Sequence, residues 1–212
     1  ITALVGPSGA GKSTIAELIP RFWDVTEGSI EIGGVNIQDM SIHDLMEQMS
    51  FVFQESFLFS DTIFNNIALE ENILVPMLLE HTSAAEMRKR LNENAELLGI
   101  KGILKKYPYE ISGGEKQRTA IARALINNPQ IILADEPTGN LDTVSAKIIM
   151  EYFAEINYQK KKAVVIVTHD PVVASYAKKI FFIKDGKIIK QIENTSKQQE
   201  SIYIISNTML DL

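Results

Sequence analysis

Three observations predict an α/β fold with a mostly parallel sheet. A glycine-rich loop lies between a short apolar run, residues 1–5, and a helix-like stretch, residues 12–19. Two further apolar runs, residues 130–134 and 163–167, alternate with helical patterns, as parallel crossover connections require. The length, 212 residues, suits one sizeable domain or a core with a subdomain.

The elements follow in order. Residues 1–5 form a strand and residues 12–19 a helix, which Pro20 ends because proline removes a backbone donor. Residues 29–37 alternate around Gly33-Gly34 and predict a hairpin. Ser41, with Asp44 three residues on, has the form of a capping box opening a short helix. Residues 50–53 make a compact strand, and Asp61 is expected to cap a brief helix through Ile67. From Ser83, the spacing of Met87, Leu91, Ala95 and Leu98, closed by Gly99, gives an amphipathic helix with a glycine stop. Helices over 113–127 and 143–158 separate the buried strands 130–134 and 163–167. Residues 179–184 and 187–192 flank Asp185-Gly186, a two-residue hairpin signal. Beyond Glu193 the polar run through Ser201 predicts a solvated tail, with residues 203–205 docking again.

Composition narrows the function classes. The chain is 45% hydrophobic, 23% charged and 8% aromatic, which suits a packed globular core. A net charge of −6 argues against a protein held to nucleic acid by phosphate neutralisation. The lack of cysteine excludes disulfides, thiolate metal sites and cysteine nucleophiles, and fits a reducing compartment. The longest apolar runs, 73–79 and 163–167, fall far short of the roughly 20 residues a membrane helix needs. The first residue is Ile1 rather than Met, so the start is expected to be trimmed.

The chemistry concentrates in a few segments. Gly6-Pro7-Ser8-Gly9-Ala10-Gly11-Lys12-Ser13-Thr14 satisfies G-x-x-x-x-G-K-[ST], after a strand and before a helix. In that context backbone N–H groups and the positive helix end wrap a β-phosphate, Lys12 reaches the β- and γ-phosphates, and the Ser13 hydroxyl ligates Mg²⁺. Residues 131–136 read as a buried strand ending in two carboxylates, Asp135 and Glu136, and the carboxyl edge of parallel strands is where such sheets hold ligands. Asp135 suits the Mg²⁺ shell, and Glu136 a general base that polarises water for attack on a γ-phosphate. Ser112-Gly113-Gly114-Glu115 opens another helix. It is either a second anion contact, offered most simply to another subunit, or an ordinary cap.

Together the segments resemble the ATP-binding-cassette (ABC) ATPases, the nucleotide-binding domains of ABC transporters. Residues 6–14 look like their Walker A motif, 131–136 their Walker B, and 111–115 their signature. Gln54 looks like the Q-loop, Gly139-Asn140-Leu141-Asp142 the D-loop, and His169 in Val167-Thr168-His169-Asp170 the switch histidine. All six occur in the family's order. The resemblance implies a P-loop ATPase domain over residues 1–192, with an inserted α-helical subdomain at about 71–118, an antiparallel β part truncated at the N-terminus, and a tail at 193–212. It implies ATP and Mg²⁺ as ligands, with Gln54 sensing Mg²⁺ and the attacking water, and His169 contacting the γ-phosphate. It also implies a head-to-tail dimer in which Ser112, Gly113 and Gly114 act on the partner's ATP and Asp142 sits at the seam. Transmembrane permease subunits would be powered from the cytoplasmic face of the membrane, with no nucleic acid involved.

The sequence departs from the family in four places. Ile111 replaces the usual Leu, and Glu115 replaces the usual Gln, placing a carboxylate near a partner's triphosphate where like charge opposes closure. Only five residues precede Gly6, so the adenine-stacking aromatic that the family carries upstream is expected to be missing, and Trp23 to pack rather than replace it. Residues 1–69, with Arg21-Phe22-Trp23-Asp24 and Asp61-Thr62-Ile63-Phe64-Asn65-Asn66-Ile67, resemble exporters whose ATPase is fused to the membrane domain. From about residue 71, Glu71-Asn72-Ile73 and the segment 134–142 resemble the separate-chain ATPases of lipoprotein-release and macrolide or antimicrobial-peptide efflux systems. A composite joined near Leu69 to Glu71 is therefore expected. Two other readings stay open: an ATP-binding, dimerising module with little turnover, and a soluble ABC ATPase outside transport.

Overall fold

The computed structural model describes residues 1–54, 67–139, 141–195 and 197–212. Strand β1 (Thr2–Val5) leads through the glycine loop into α1 (Lys12–Leu18). The short strands β2 (Glu31–Ile32) and β3 (Val35–Asn36) pair antiparallel as a separate hairpin, turning on Gly33 and Gly34 at φ 60° and 84°. Helix α2 (Ile42–Gln48) is capped by Ser41, whose hydroxyl accepts from the Asp44 N–H at 3.0 Å, as expected. Strand β4 (Met49–Val52) follows.

A helical stretch comes next: α3 (Leu69–Leu79), α4 (Ala84–Leu97), capped by Ser83, and α5 (Gly113–Leu125), capped by Ser112. The alternation then resumes with β5 (Ile131–Asp135), α6 (Thr143–Gln159), β6 (Ala163–Thr168), α7 (Pro171–Ala174), β7 (Lys179–Lys184), β8 (Lys187–Glu193) and α8 (Gln198–Leu210). Among the described residues the main sheet has the order β4-β5-β6-β1-β7-β8. The pairs β4–β5, β5–β6, β6–β1 and β1–β7 are parallel, and only β7–β8, a hairpin over Asp185-Gly186, is antiparallel. The α/β expectation holds, because buried apolar strands such as β5 and β6 need helices on both faces.

The largest core joins the helical stretch to one sheet face. Ile73, Met77, Leu98 and Ile121 pack with Ile132, Ile166 and Phe153, all fully buried. Farther along the same sheet face, Ala3, Val5, Ile180 and Phe182 meet Ile205 of α8.

Three expectations fail. The run from Glu193 through Ser201 is not a solvated tail: Ser201 is buried, and the Asn194 side chain donates to the carbonyls of Ser175 at 2.9 Å and Ala177 at 3.0 Å, while Ile205 is fully buried on α8, as its expected docking requires. Tyr203, expected to dock, is exposed. Trp23 is 67% exposed instead of packed. The brief helix expected from Asp61 falls on residues outside the described set, apart from Ile67, and so does Asn140.

Candidate functional site

Four adjacent parallel strands deliver the candidate residues to one edge of the sheet. Gln54 follows β4, Asp135 and Glu136 end β5, His169 follows β6, and residues 6–14 follow β1. All leave the carboxyl ends of their strands, where an open parallel sheet forms its ligand crevice. A cavity of about 550 Å³ opens there. Its walls are Pro7 to Gly9, Gly11 to Thr14, Gln54, Glu136, His169 and Met209.

The loop keeps its shape for identifiable reasons. Gly11, at φ 89°, starts α1 without a side-chain cap, leaving the first amides of the helix without a side-chain acceptor. A Cβ on Gly6 would collide with the Ile183 carbonyl oxygen, so only glycine lets the loop lie against β7. The turn of the β7–β8 hairpin braces it from the other side, as the Gly186 N–H donates to the Ala10 carbonyl at 2.9 Å. Gly6 and Ala10 thus support the loop without lining the cavity, although both were singled out with it. Lys12 is buried, and its ammonium donates to the Pro7 carbonyl at 2.9 Å, curling across the loop.

The acidic pair is divided by its surroundings. The Asp135 Oδ1 accepts from the Ser13 hydroxyl at 3.1 Å. Burial pushes the Asp135 carboxyl above its ordinary pKa, with Glu136 and Glu17 adding to the shift while Ser13 and Lys12 oppose it. Glu136 sits at φ 43°, an uncommon conformation for a non-glycine residue, fixed by its N–H donating to the Val167 carbonyl at 2.9 Å. Its Oε2 accepts from the Thr168 hydroxyl at 3.1 Å, and its Oε1 lies 2.7 Å from His169 Nδ1. Thr168 is not legible in the sequence, since a threonine ending a buried strand carries no signal of its own. Its place between the strand and His169 was the only clue.

The remaining candidates stand apart. Ser112, Gly113, Gly114 and Asp142 do not line the cavity. Ser112, Gly113 and Gly114 open α5 and Asp142 caps α6, and the two helix starts approach at Gly114, where a Cβ would lie 2.9 Å from the Ser145 Oγ. Glu115 folds back on Ser112: its Oε2 accepts from the Ser112 N–H and hydroxyl, each at 2.8 Å. These two bonds hold the Glu115 carboxyl below the usual range.

The family model described as ABC transporter matches residues 1–139. The chain belongs to the ABC transporter ATP-binding family. An uncharacterized ABC transporter ATP-binding protein of Bacillus subtilis, YvcR, is 41% identical over 210 residues, 97% of this chain and 79% of that protein. The bacitracin export ATP-binding protein BceA of Halalkalibacterium halodurans is 35% identical, over 95% of this chain and 79% of its own. The dimeric, ADP- and Pi-bound post-hydrolysis structure of the ATP-binding cassette MJ0796 of Methanocaldococcus jannaschii superposes with TM-score 0.81 at 34% identity, covering 93% of this chain and 86% of that one. Both sequence alignments run across residues 69–71, so single ABC relatives span the expected join.

Membership gives the chain ATP as its ligand. The donors also fit Mg²⁺: a hydroxyl, a carboxylate and the amide oxygen of Gln54 are hard oxygens that leave room for phosphate oxygens. Among the described residues no group of three or more His, Cys, Asp or Glu is placed to hold a metal ion.

Proposed function

We propose that this chain binds MgATP and hydrolyses it to ADP and phosphate as a head-to-tail dimer, powering transport through separate membrane subunits. The observation that carries the reading is the convergence of Lys12, Ser13, Gln54, Glu136 and His169 on one cavity at the carboxyl edge of four neighbouring strands. The loop amides and Lys12 bind the β- and γ-phosphates. Ser13, Asp135 and Gln54 hold Mg²⁺, which when bound offsets charge on the phosphate oxygens. Glu136, steadied by Thr168 and His169, accepts the proton of the attacking water as its oxygen bonds to the γ-phosphorus and the bond to ADP breaks. His169 contacts the γ-phosphate, and Ser112, Gly113, Gly114 and Asp142 complete the partner's site.

The membrane subunit docks at a second cavity of about 400 Å³ between β4 and the helices α3 and α5, where Met46, Phe51, Phe53, Val75 and Leu79 give an apolar lining. Among the described residues no helix is long and apolar enough to cross a membrane. As the ATP-binding partner of separate membrane subunits, the chain works on their cytoplasmic face. A second reading, an ATP-dependent dimerising module with little turnover, is favoured by one observation: the Ser112 hydroxyl is already committed to Glu115.

Two substitutions test the reading. Glu136→Gln keeps every binding group and removes the base, so ATP binding should persist while phosphate release falls at least 100-fold. Lys12→Ala should cost most of the ATP affinity. Turnover surviving in Glu136→Gln, or unchanged affinity in Lys12→Ala, would overturn the assignment.

A further inference from the structure

Helix α8 runs along the sheet toward the ATP cavity. Its start is fixed at the amino end of β7, where the Asn194 N–H donates to the Lys178 carbonyl at 2.8 Å and Gln198 Nε2 donates to the Ser175 hydroxyl at 3.4 Å. Its middle is fixed by buried Ile205 against Ala3, Val5 and Phe182, and by Lys190 Nζ donating to the Thr208 hydroxyl at 3.3 Å. Thirteen helical residues span about 20 Å at 1.5 Å each, whereas the four of β1 span about 13 Å. The last turn of α8 therefore overshoots the strand and stands beside the loop that β1 feeds, with Met209 in the cavity wall.

Most of that wall is glycine, hydroxyl, amide, imidazole, carboxylate or ammonium; Met209 and Pro7 are the apolar exceptions among the described residues. A nucleoside triphosphate has one highly charged end and one flat, weakly hydrated end. The charged end belongs with Lys12 and the loop amides. The carboxyl end of α8 carries partial negative charge and Asp211, which disfavour phosphate nearby. A thioether, by contrast, is polarizable and makes favourable contacts with aromatic rings.

We propose that Met209 forms the base-facing wall of the ATP cavity, making α8 part of the nucleotide-binding machinery; this rests on the cavity being the triphosphate site. Met209 offers no hydrogen bond to distinguish one purine edge from another, so it holds ATP and GTP alike.

The test is calorimetric binding of ATP, GTP and inorganic tripolyphosphate to the full chain and to Met209→Ala, Met209→Leu and Leu210→Ala. Leu210 is 84% exposed and controls for changes at the helix end. Met209→Ala should weaken ATP and GTP about 3- to 10-fold, leave tripolyphosphate within about twofold, and be largely rescued by Met209→Leu. Leu210→Ala should match wild type. Equal weakening of tripolyphosphate would mean a structural role and overturn the proposal. Tighter binding of ATP and tripolyphosphate alike would mean that the helix end plugs the cavity, and unchanged binding that Met209 is a bystander; either overturns it. Failure of wild type to bind either ligand would instead overturn the triphosphate site itself.

Discussion

Glu136 and Glu115 show how neighbouring groups set what a carboxylate can do. Glu136 is nearly buried and held by Thr168 and His169, so its oxygens are oriented before any ligand arrives. Glu115 spends its carboxylate on its own helix start and takes the Ser112 hydroxyl with it. In the proposed head-to-tail dimer that hydroxyl would face the partner's triphosphate, and the carboxylate would add like charge beside it. Glu115→Gln should therefore tighten ATP-driven dimerisation several-fold, measured by sedimentation in the Glu136→Gln background, while the amide oxygen preserves acceptance from the Ser112 N–H. A weaker dimer would show that the capping contact matters more than the charge. Residues of this kind were unequally legible in the sequence. Lys12, Ser13, Glu136 and His169 stand at spacings that phosphate chemistry dictates, whereas Thr168 and Met209 acquire roles only through what the fold brings beside them.

Among the elements, α6 owes its start to one residue. Asp142 Oδ1 accepts from the Val144 and Ser145 N–H groups, each at 3.0 Å, and the Ser145 contacts hold its carboxyl below the ordinary value. A depressed folded-state pKa means stabilisation that is complete above the unfolded aspartate range and lost as pH falls through the lower folded value. Asp142→Ala should lower the melting temperature at neutral pH by about 2–4 °C, with the gap to wild type closing in acid. A pH-independent difference in thermal scans would remove the charge from the explanation, and Asp142→Asn should keep the cap without the pH dependence. Elements with their own local chemistry were readable in advance: the caps at Ser41 and Ser83, and the Asp185-Gly186 turn, where both residues take positive φ. Helix α3 was not, because the run 73–79 is apolar on consecutive positions and contains Pro76, so it shows no period of its own. Helix α8 was hidden for the opposite reason. Its polar first turn looked solvated, yet Gln198 and Ser201 use their side chains on Ser175 and Asn194 in the body of the fold.

For the whole molecule, the decisive fact is a separation. Ser112 and Gly113 are exposed, and neither they nor Asp142 reach the cavity holding Lys12 and Glu136, so in the proposed head-to-tail dimer one chain would not complete its own site. A site assembled from two chains makes turnover depend on protein concentration. Each copy carries a net charge of −6, so two copies repel each other before ATP adds further negative charge. That repulsion is screened over about 8 Å at physiological ionic strength and over about 30 Å at 0.01 M. Phosphate release should rise faster than linearly with protein concentration, vanish in Glu136→Gln, and at low protein concentration be faster near 0.15 M salt than at 0.01 M. If turnover per chain were constant across a dilution series in which sizing shows only monomers, one chain would suffice. The cluster at the starts of α5 and α6 would then be an ordinary pair of helix caps, and the dimer would lose its place in the mechanism.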